Sequence, residues 1–129
     1  MSYDKTDLIR YRLEKSERTF QEAKSLSDSG FWNGAANRLY YSCFYEVIAL
    51  LAKDNVNALT HNGVRVEFFK RYVKTEILSR DFSNFYSNIM GKRQESDYDD
   101  FLEFSKNDIK PLFPKTIVFI NGIKELLKD

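Results

Sequence analysis

Between Asn33 and Lys53 the chain runs through a stretch that is apolar almost all the way round a helix. A helix lying on a surface needs only one apolar stripe, so such a segment must be packed by more than one neighbour. Ala36, Tyr40, Cys43, Val47 and Leu50 fall on one helical face, and Tyr41, Phe44, Ile48 and Leu51 on the adjacent one. This predicts the central helix of a bundle or a helix at an interface.

The flanking sequence supplies the partners. Ile9, Leu13, Ser16, Phe20, Ala23 and Ser27 form one stripe of an amphipathic helix over about Lys5 to Ser27, with Gly30 positioned to close it. Lys53 to Ala58 is rich in turn formers and reads as a loop. A short third helix follows from Thr60 to about Val73, with Thr60 or Asn62 as its cap. A fourth opens at Ser79 or Asp81, and in it Phe82, Tyr86, Ile89 and Arg93 make one row at helical spacing. Ser105 and Asp108 have capping-box spacing before a last helix that ends near Leu127, its start delayed or kinked by Pro111 and Pro114. No alternating strand pattern is present. The expected fold is all-α, a single domain over residues 1–129 forming an up-and-down bundle of four main helices plus one short helix.

Composition removes several function classes. The 20 Lys and Arg residues are balanced by 19 Asp and Glu, leaving a formal charge of +1, so any nucleic-acid or nucleotide site must be local and not a whole-domain field. Cys43, the sole cysteine, lies mid-helix among apolar residues and reads as a buried, reduced thiol. The amino-terminal residues are charged where an export signal is apolar, and Val47 to Ala52 is too short to span a membrane. A cytoplasmic protein without membrane association is expected. One histidine and one cysteine give no metal-ligand spacing, and no phosphate loop is present, so no metal or cofactor is expected. The high aromatic content, 11 Phe and 8 Tyr, exceeds what one small bundle covers easily and predicts a homodimer.

Few residues are placed to do chemistry. Arg93 continues an apolar stripe, and a guanidinium there needs an anionic partner or a water-lined cleft. Asp97, one turn later, offers the structural answer of an ion pair; a ligand site is the functional one. Arg38, with Tyr41 at i+3, forms a row suited to stacking on or hydrogen-bonding an anion, or else bridges to an acidic residue of a neighbouring helix while the tyrosine fills core. His61 serves either as a loop hydrogen-bonding group or as a titrating one. Lys70, Arg71, Lys74 and Arg80 read as a solvated basic face.

Taken together, Gly30-Phe31-Trp32, Ala36-Asn37-Arg38-Leu39-Tyr40-Tyr41, Thr60-His61-Asn62-Gly63 and the run from Arg93 to Tyr98 give the chain a sequence that resembles the small prokaryotic HEPN proteins over nearly its whole length. The resemblance implies a homodimeric helical bundle paired with a minimal nucleotidyltransferase in a toxin–antitoxin-type system. In the ribonuclease members an Arg and a His four to six residues later converge at the dimer cleft and cleave RNA without metal. Here Arg93 matches the Arg, but Tyr98 stands five residues on, and a phenol titrating near pH 10 is a poor base. Asp100 stands where some toxins carry a tyrosine that the partner modifies. The resemblance therefore implies a module with a degenerate catalytic motif that binds nucleotide or RNA through Asn37, Arg38, Tyr41, His61 and Asp97. The alternative it implies is an active metal-independent ribonuclease toxin using Arg93 with Tyr98, or with His61.

Overall fold

The computed structural model describes residues 4–128; Met1 to Tyr3, part of the amino-terminal segment read above for export signals, and Asp129 lie outside the described residues. Helix α1 spans Lys5–Asp28, α2 Trp32–Lys53 and α3 His61–Phe68, the last prolonged by a π-helical turn over Phe69–Val73. Then come α4 at Arg80–Tyr98, the single turn α5 at Lys106–Ile109, and α6 at Leu112–Leu127. The architecture is an all-α up-and-down bundle, with no strand among the described residues.

Local chemistry explains most of the boundaries. Helix α1 ends where Phe31 N–H donates to the Leu26 carbonyl at 2.8 Å and Gly30 N–H to that of Ser27 at 3.0 Å. These two bonds form a Schellman motif, whose left-handed residue is Gly30 at φ +78°. Thr60, not Asn62, caps α3: its side chain accepts from Gly63 N–H at 2.9 Å. A Cβ on Gly63 would sit 2.9 Å from that same hydroxyl oxygen, so cap and glycine are one device, and it makes His61 the first residue of the helix. The Ser105–Asp108 capping box is formed in both directions. The last helix is divided, as the prolines require: α5 stops after one turn, Pro111 precedes α6 and Pro114 lies in its first turn.

Helix α2 is the axis of the core. Ala36, Tyr40, Cys43, Val47 and Leu50 are all fully buried, as their common face predicts. The adjacent face behaves differently, because Tyr41, Phe44 and Ile48 are only half-buried and Leu51 alone is covered. The second closed face is one the apolar pattern did not mark, Ala35, Leu39, Ser42, Glu46 and Ala49, which packs against α1. Its small residues bring the two backbones close. Ser16 and Ser42 seal the contact reciprocally, each hydroxyl donating to the other's carbonyl at 2.8 and 3.0 Å. On the far side, Phe68, Tyr86 and Phe119 join α3, α4 and α6 through mutual ring contacts at 5.7 to 5.8 Å. Gly122 lets α6 approach α4, since a Cβ there would fall 2.5 Å from the Phe82 ring.

Candidate functional site

The half-covered face of α2 is where the polar chemistry gathers. The row Phe82, Tyr86, Ile89 and Arg93 faces inward as its spacing predicts, and Arg93, near the end of α4, remains only 8% exposed. Its guanidinium lies over the Tyr40 ring at 5.1 Å and the Tyr41 ring at 5.8 Å. Nη1 donates to the Asp97 carboxylate at 3.3 Å, while Nε is buried without a hydrogen-bond partner. One long ion pair and two aromatic faces keep a desolvated cation in place without saturating it, since a guanidinium carries five donors. Of the two readings of Arg93, the ion pair with Asp97 is present, and the unpartnered Nε leaves donor capacity unspent.

Arg38 approaches the same ring from its own helix, its guanidinium 5.1 Å from the Tyr41 centroid. Asn37 accepts from Arg38 Nη2 at 2.7 Å and from Nε at 3.0 Å, and Glu22 of α1 stands 3.7 Å from Nη1. The acidic bridge read from the sequence is therefore present, but it is long and exposed, and such pairs hold a side chain weakly. Two arginines consequently share Tyr41, one buried and one part-exposed.

His61 completes the cluster. Its Nδ1 is 2.7 Å from the Tyr40 hydroxyl, and its ring packs on Phe44 at 4.8 Å, on Tyr40 at 5.6 Å and on Tyr41 at 5.7 Å. Burial, then the nearby positive charge of Arg93, lowers its pKa, which favours the neutral imidazole. Burial pushes Tyr40 up to about 12, and Tyr86 well above its ordinary value, which keeps both phenols protonated. Arg93, Asp97, Arg38, Asn37, Tyr41 and His61 are thus brought together, although His61 is far from Arg93 in sequence. Tyr98 is not among them. As the last residue of α4 it is 82% exposed, on a segment whose backbone leaves the bundle at Asp99.

Sequence reasoning gives no site role to Tyr40 or Tyr86 and does not mark Asn33, which anchors the loop after α4. Tyr40 shares the apolar face of α2 and so reads as core, yet its ring carries Arg93 and its hydroxyl meets His61. Tyr86 was visible as a member of the Arg93 row, two turns earlier on the same stripe, and that spacing was the available signal. Asn33 left no signal: its amide donates to the Leu102 carbonyl and accepts from Phe104 N–H, both at 2.8 Å, pinning the loop after α4 to the start of α2. Elsewhere, Arg71 is paired with Glu67 at 2.8 Å on an exposed surface, as a solvated basic face predicts. Among the described residues no group of three His, Cys, Asp or Glu side chains is placed to hold a metal ion, and no helix is long and apolar enough to cross a membrane.

A bundle with this arrangement matches the model of the HEPN domain over residues 9–126. The chain belongs to the HEPN domain family. Relatives extend the match along its length. A UPF0332 protein of Thermotoga maritima is 29% identical over 126 residues, covering 98% of this chain and 96% of its own. A chain of Methanocaldococcus jannaschii named a putative toxin is 34% identical over 115 residues, covering 89% of this HEPN chain and 78% of its own. A UPF0332 protein of Archaeoglobus fulgidus is 26% identical over 119 residues, covering 92% and 94%.

Proposed function

We propose that this HEPN protein is the toxin-like component of a nucleotidyltransferase/HEPN pair and works as a cytoplasmic homodimer that binds RNA or nucleotide phosphate on the half-covered face of α2. The observation that carries the reading is Arg93, a desolvated guanidinium with a free Nε, seated on two tyrosine rings beside a second arginine. A phosphate offers the anionic oxygens these donors lack, and Tyr41 offers a ring face on which a base can stack. The relative named a putative toxin supports the toxin-like part of the reading, and the half-buried Tyr41, Phe44 and Ile48 support a second copy covering that face. Fluorescence anisotropy with a short single-stranded RNA and with a mononucleotide tests it. Binding should weaken with salt and weaken strongly in Arg93→Ala, and light scattering at micromolar concentration should give a dimer.

A second reading, metal-independent ribonuclease activity, is favoured by one specific observation. His61 approaches the Arg93 cluster where Tyr98 does not, so the proton-transfer group of an active enzyme would be His61. RNA cleavage by the wild-type chain in the presence of chelator, abolished by His61→Ala, would select this reading over binding alone.

A further inference from the structure

Along one seam between α1 and α2, cations and tyrosine rings alternate. On α1, Tyr11, Lys15, Arg18 and Glu22 fall on one stripe at i, i+4, i+7 and i+11. On α2, Arg38, Tyr41 and Tyr45 do the same at i, i+3 and i+7. Two contacts fix the antiparallel register: Glu22 stands 3.7 Å from Arg38, and the Lys15 ammonium lies 4.8 Å from the centre of the Tyr45 ring. Arg18 is therefore level with Tyr41. Lys15 also approaches the Tyr11 ring at 5.9 Å, and the Tyr41 and Tyr45 rings are 6.1 Å apart. Tyr41 carries Arg38 at 5.1 Å and Arg93 at 5.8 Å, so each of the three rings has a cation beside it. Tyr11 is 54% exposed, Arg18 is exposed, and Tyr41 and Tyr45 are half-buried. Cation–ring contacts stabilise exposed side chains only weakly, so folding alone explains this row poorly. The one carboxylate of the two stripes, Glu22, is itself exposed and sits at the Arg38 end.

We propose that this seam is a track for single-stranded RNA, leading from the Arg93 cluster across the edge of α2 onto α1, so that the ligand is a polynucleotide and not a mononucleotide. Bases stack on Tyr41, Tyr45 and Tyr11, while Lys15, Arg18 and Arg38 meet the intervening phosphates and Arg93 holds the phosphate at the end. Every base has a π face, so a platform of rings between cations takes a strand with little regard to sequence. A duplex keeps its base faces inside the stack, which restricts the rings to a single strand. The inference rests on the proposed phosphate-binding reading of α2 and deepens it, by giving the ligand a length and a path. Around α2, Arg38 and Tyr45 lie between α1 and the apolar Phe44 and Ile48, so a second copy seated on Phe44 and Ile48 leaves the seam open.

Isothermal titration calorimetry of the full chain with uridine monophosphate and with uridine oligomers of increasing length tests the track. Affinity should rise at least about tenfold from the monophosphate to the longer oligomers, as stacked bases and neutralised phosphates are added. Tyr11→Ala and Tyr45→Ala should each lower oligomer affinity by about five- to tenfold, the low end for one stacked base, and leave monophosphate affinity within about twofold. Tyr45→Phe keeps the ring and should keep the affinity. Lys15→Gln should cost the oligomer about threefold and reduce the salt dependence of its binding, whereas Lys70→Ala, on the basic face away from the seam, should change neither. Equal affinity for monophosphate and oligomers overturns the track. So does oligomer binding that is unchanged in Tyr11→Ala and Lys15→Gln while Arg93→Ala weakens it, a result that leaves the proposed phosphate site standing. Loss of the dimer in Tyr11→Ala, read by light scattering, would assign the seam to a second copy and overturn the track as well. If Tyr45→Ala does not fold, Tyr11→Ala and Lys15→Gln decide alone. No binding of either ligand by the wild type strikes the proposed function, and the track with it.

Discussion

Helix α2 carries two buried ionisable neighbourhoods on different sides, and they resolve the same physical problem in opposite ways. On one side Arg93 is taken from water but rests on aromatic faces and an ion pair, and so remains a cation with donors to spare. On the other, Glu46 is fully buried against α1 with neither carboxylate oxygen hydrogen-bonded, and burial pushes its pKa up to about 7. Beside it the Cys43 thiol is pushed up by burial and then by Glu46, which makes it an inert core group. An unpartnered buried carboxyl escapes its desolvation cost by taking a proton, an option a guanidinium does not have. The contrast teaches that burial alone does not mark a site. What marks it is a charge that stays, with unused capacity, next to an incompletely covered surface.

The largest expected effect separates the two sides by ligand binding. Arg93→Ala should weaken RNA or nucleotide binding by roughly 10- to 100-fold, the range for losing a charged hydrogen-bonding group, whereas Glu46→Gln should leave binding within about twofold, as it touches no ligand-facing group. Anisotropy titrations of both variants, checked for folding by circular dichroism, measure this. Equal losses in the two would dissolve the distinction.

The second sharpens the comparison through stability. The folded protein holds the Glu46 proton more tightly than the unfolded chain, whose group titrates near 4.5. Its contribution is therefore fully present below about pH 4.5 and is lost as pH rises through about 7, a loss on the order of 3 kcal/mol. Glu46→Gln keeps the neutral shape and should raise the unfolding free energy by roughly 2–3 kcal/mol above about pH 8, with the gain disappearing in mild acid. Urea unfolding of both proteins across that range tests it. A stability difference independent of pH would mean that Glu46 is ionised when folded.

A third and smaller effect lies within the arginine side itself. Arg38 is part-exposed and already occupied by Asn37 and a long approach to Glu22, so its contribution to binding is screened where that of Arg93 is not. Arg38→Ala should cost about three- to tenfold in affinity and show a reduced salt dependence, since one fewer phosphate is neutralised. A loss as large as that of Arg93→Ala would make the two arginines one cooperative unit.

The sequence made the bundle legible because its signals were local. The stripe of α1, the Gly30 stop, the Thr60 cap, the Ser105 box and the two prolines each act within a few residues, and each appears where its chemistry predicts. The inward turn of Arg93 was legible for the same reason. What escaped depended on contacts between distant segments. Nothing in the sequence marks Glu46 as buried until α1 is laid over it, and Ala35, Ser42 and Ala49 declare a close helix contact only once the partner is known. His61 joins Arg93 only through the packing of α3 on α2, which no spacing along the chain encodes. The motif position did the reverse, since Tyr98 stands at the expected interval from Arg93 but at a helix end open to solvent.

That last contrast yields the smallest expected effect and the most discriminating one. If the partner of Arg93 were the residue five places on, Tyr98→Ala would damage the site as His61→Ala does. Tyr98 is 82% exposed, and Arg93 is held by Tyr40, Tyr41 and Asp97 without it. Tyr98→Ala should therefore change stability by less than about 0.5 kcal/mol and RNA affinity by less than about twofold, as for a surface side chain outside any network. His61→Ala should lower affinity by about tenfold, through loss of a donor and of its packing on Phe44. The two variants measured side by side by anisotropy and thermal unfolding make the comparison. A Tyr98→Ala defect as large as that of His61→Ala would return the phenol to the site and require the end of α4 to meet the cluster across a dimer.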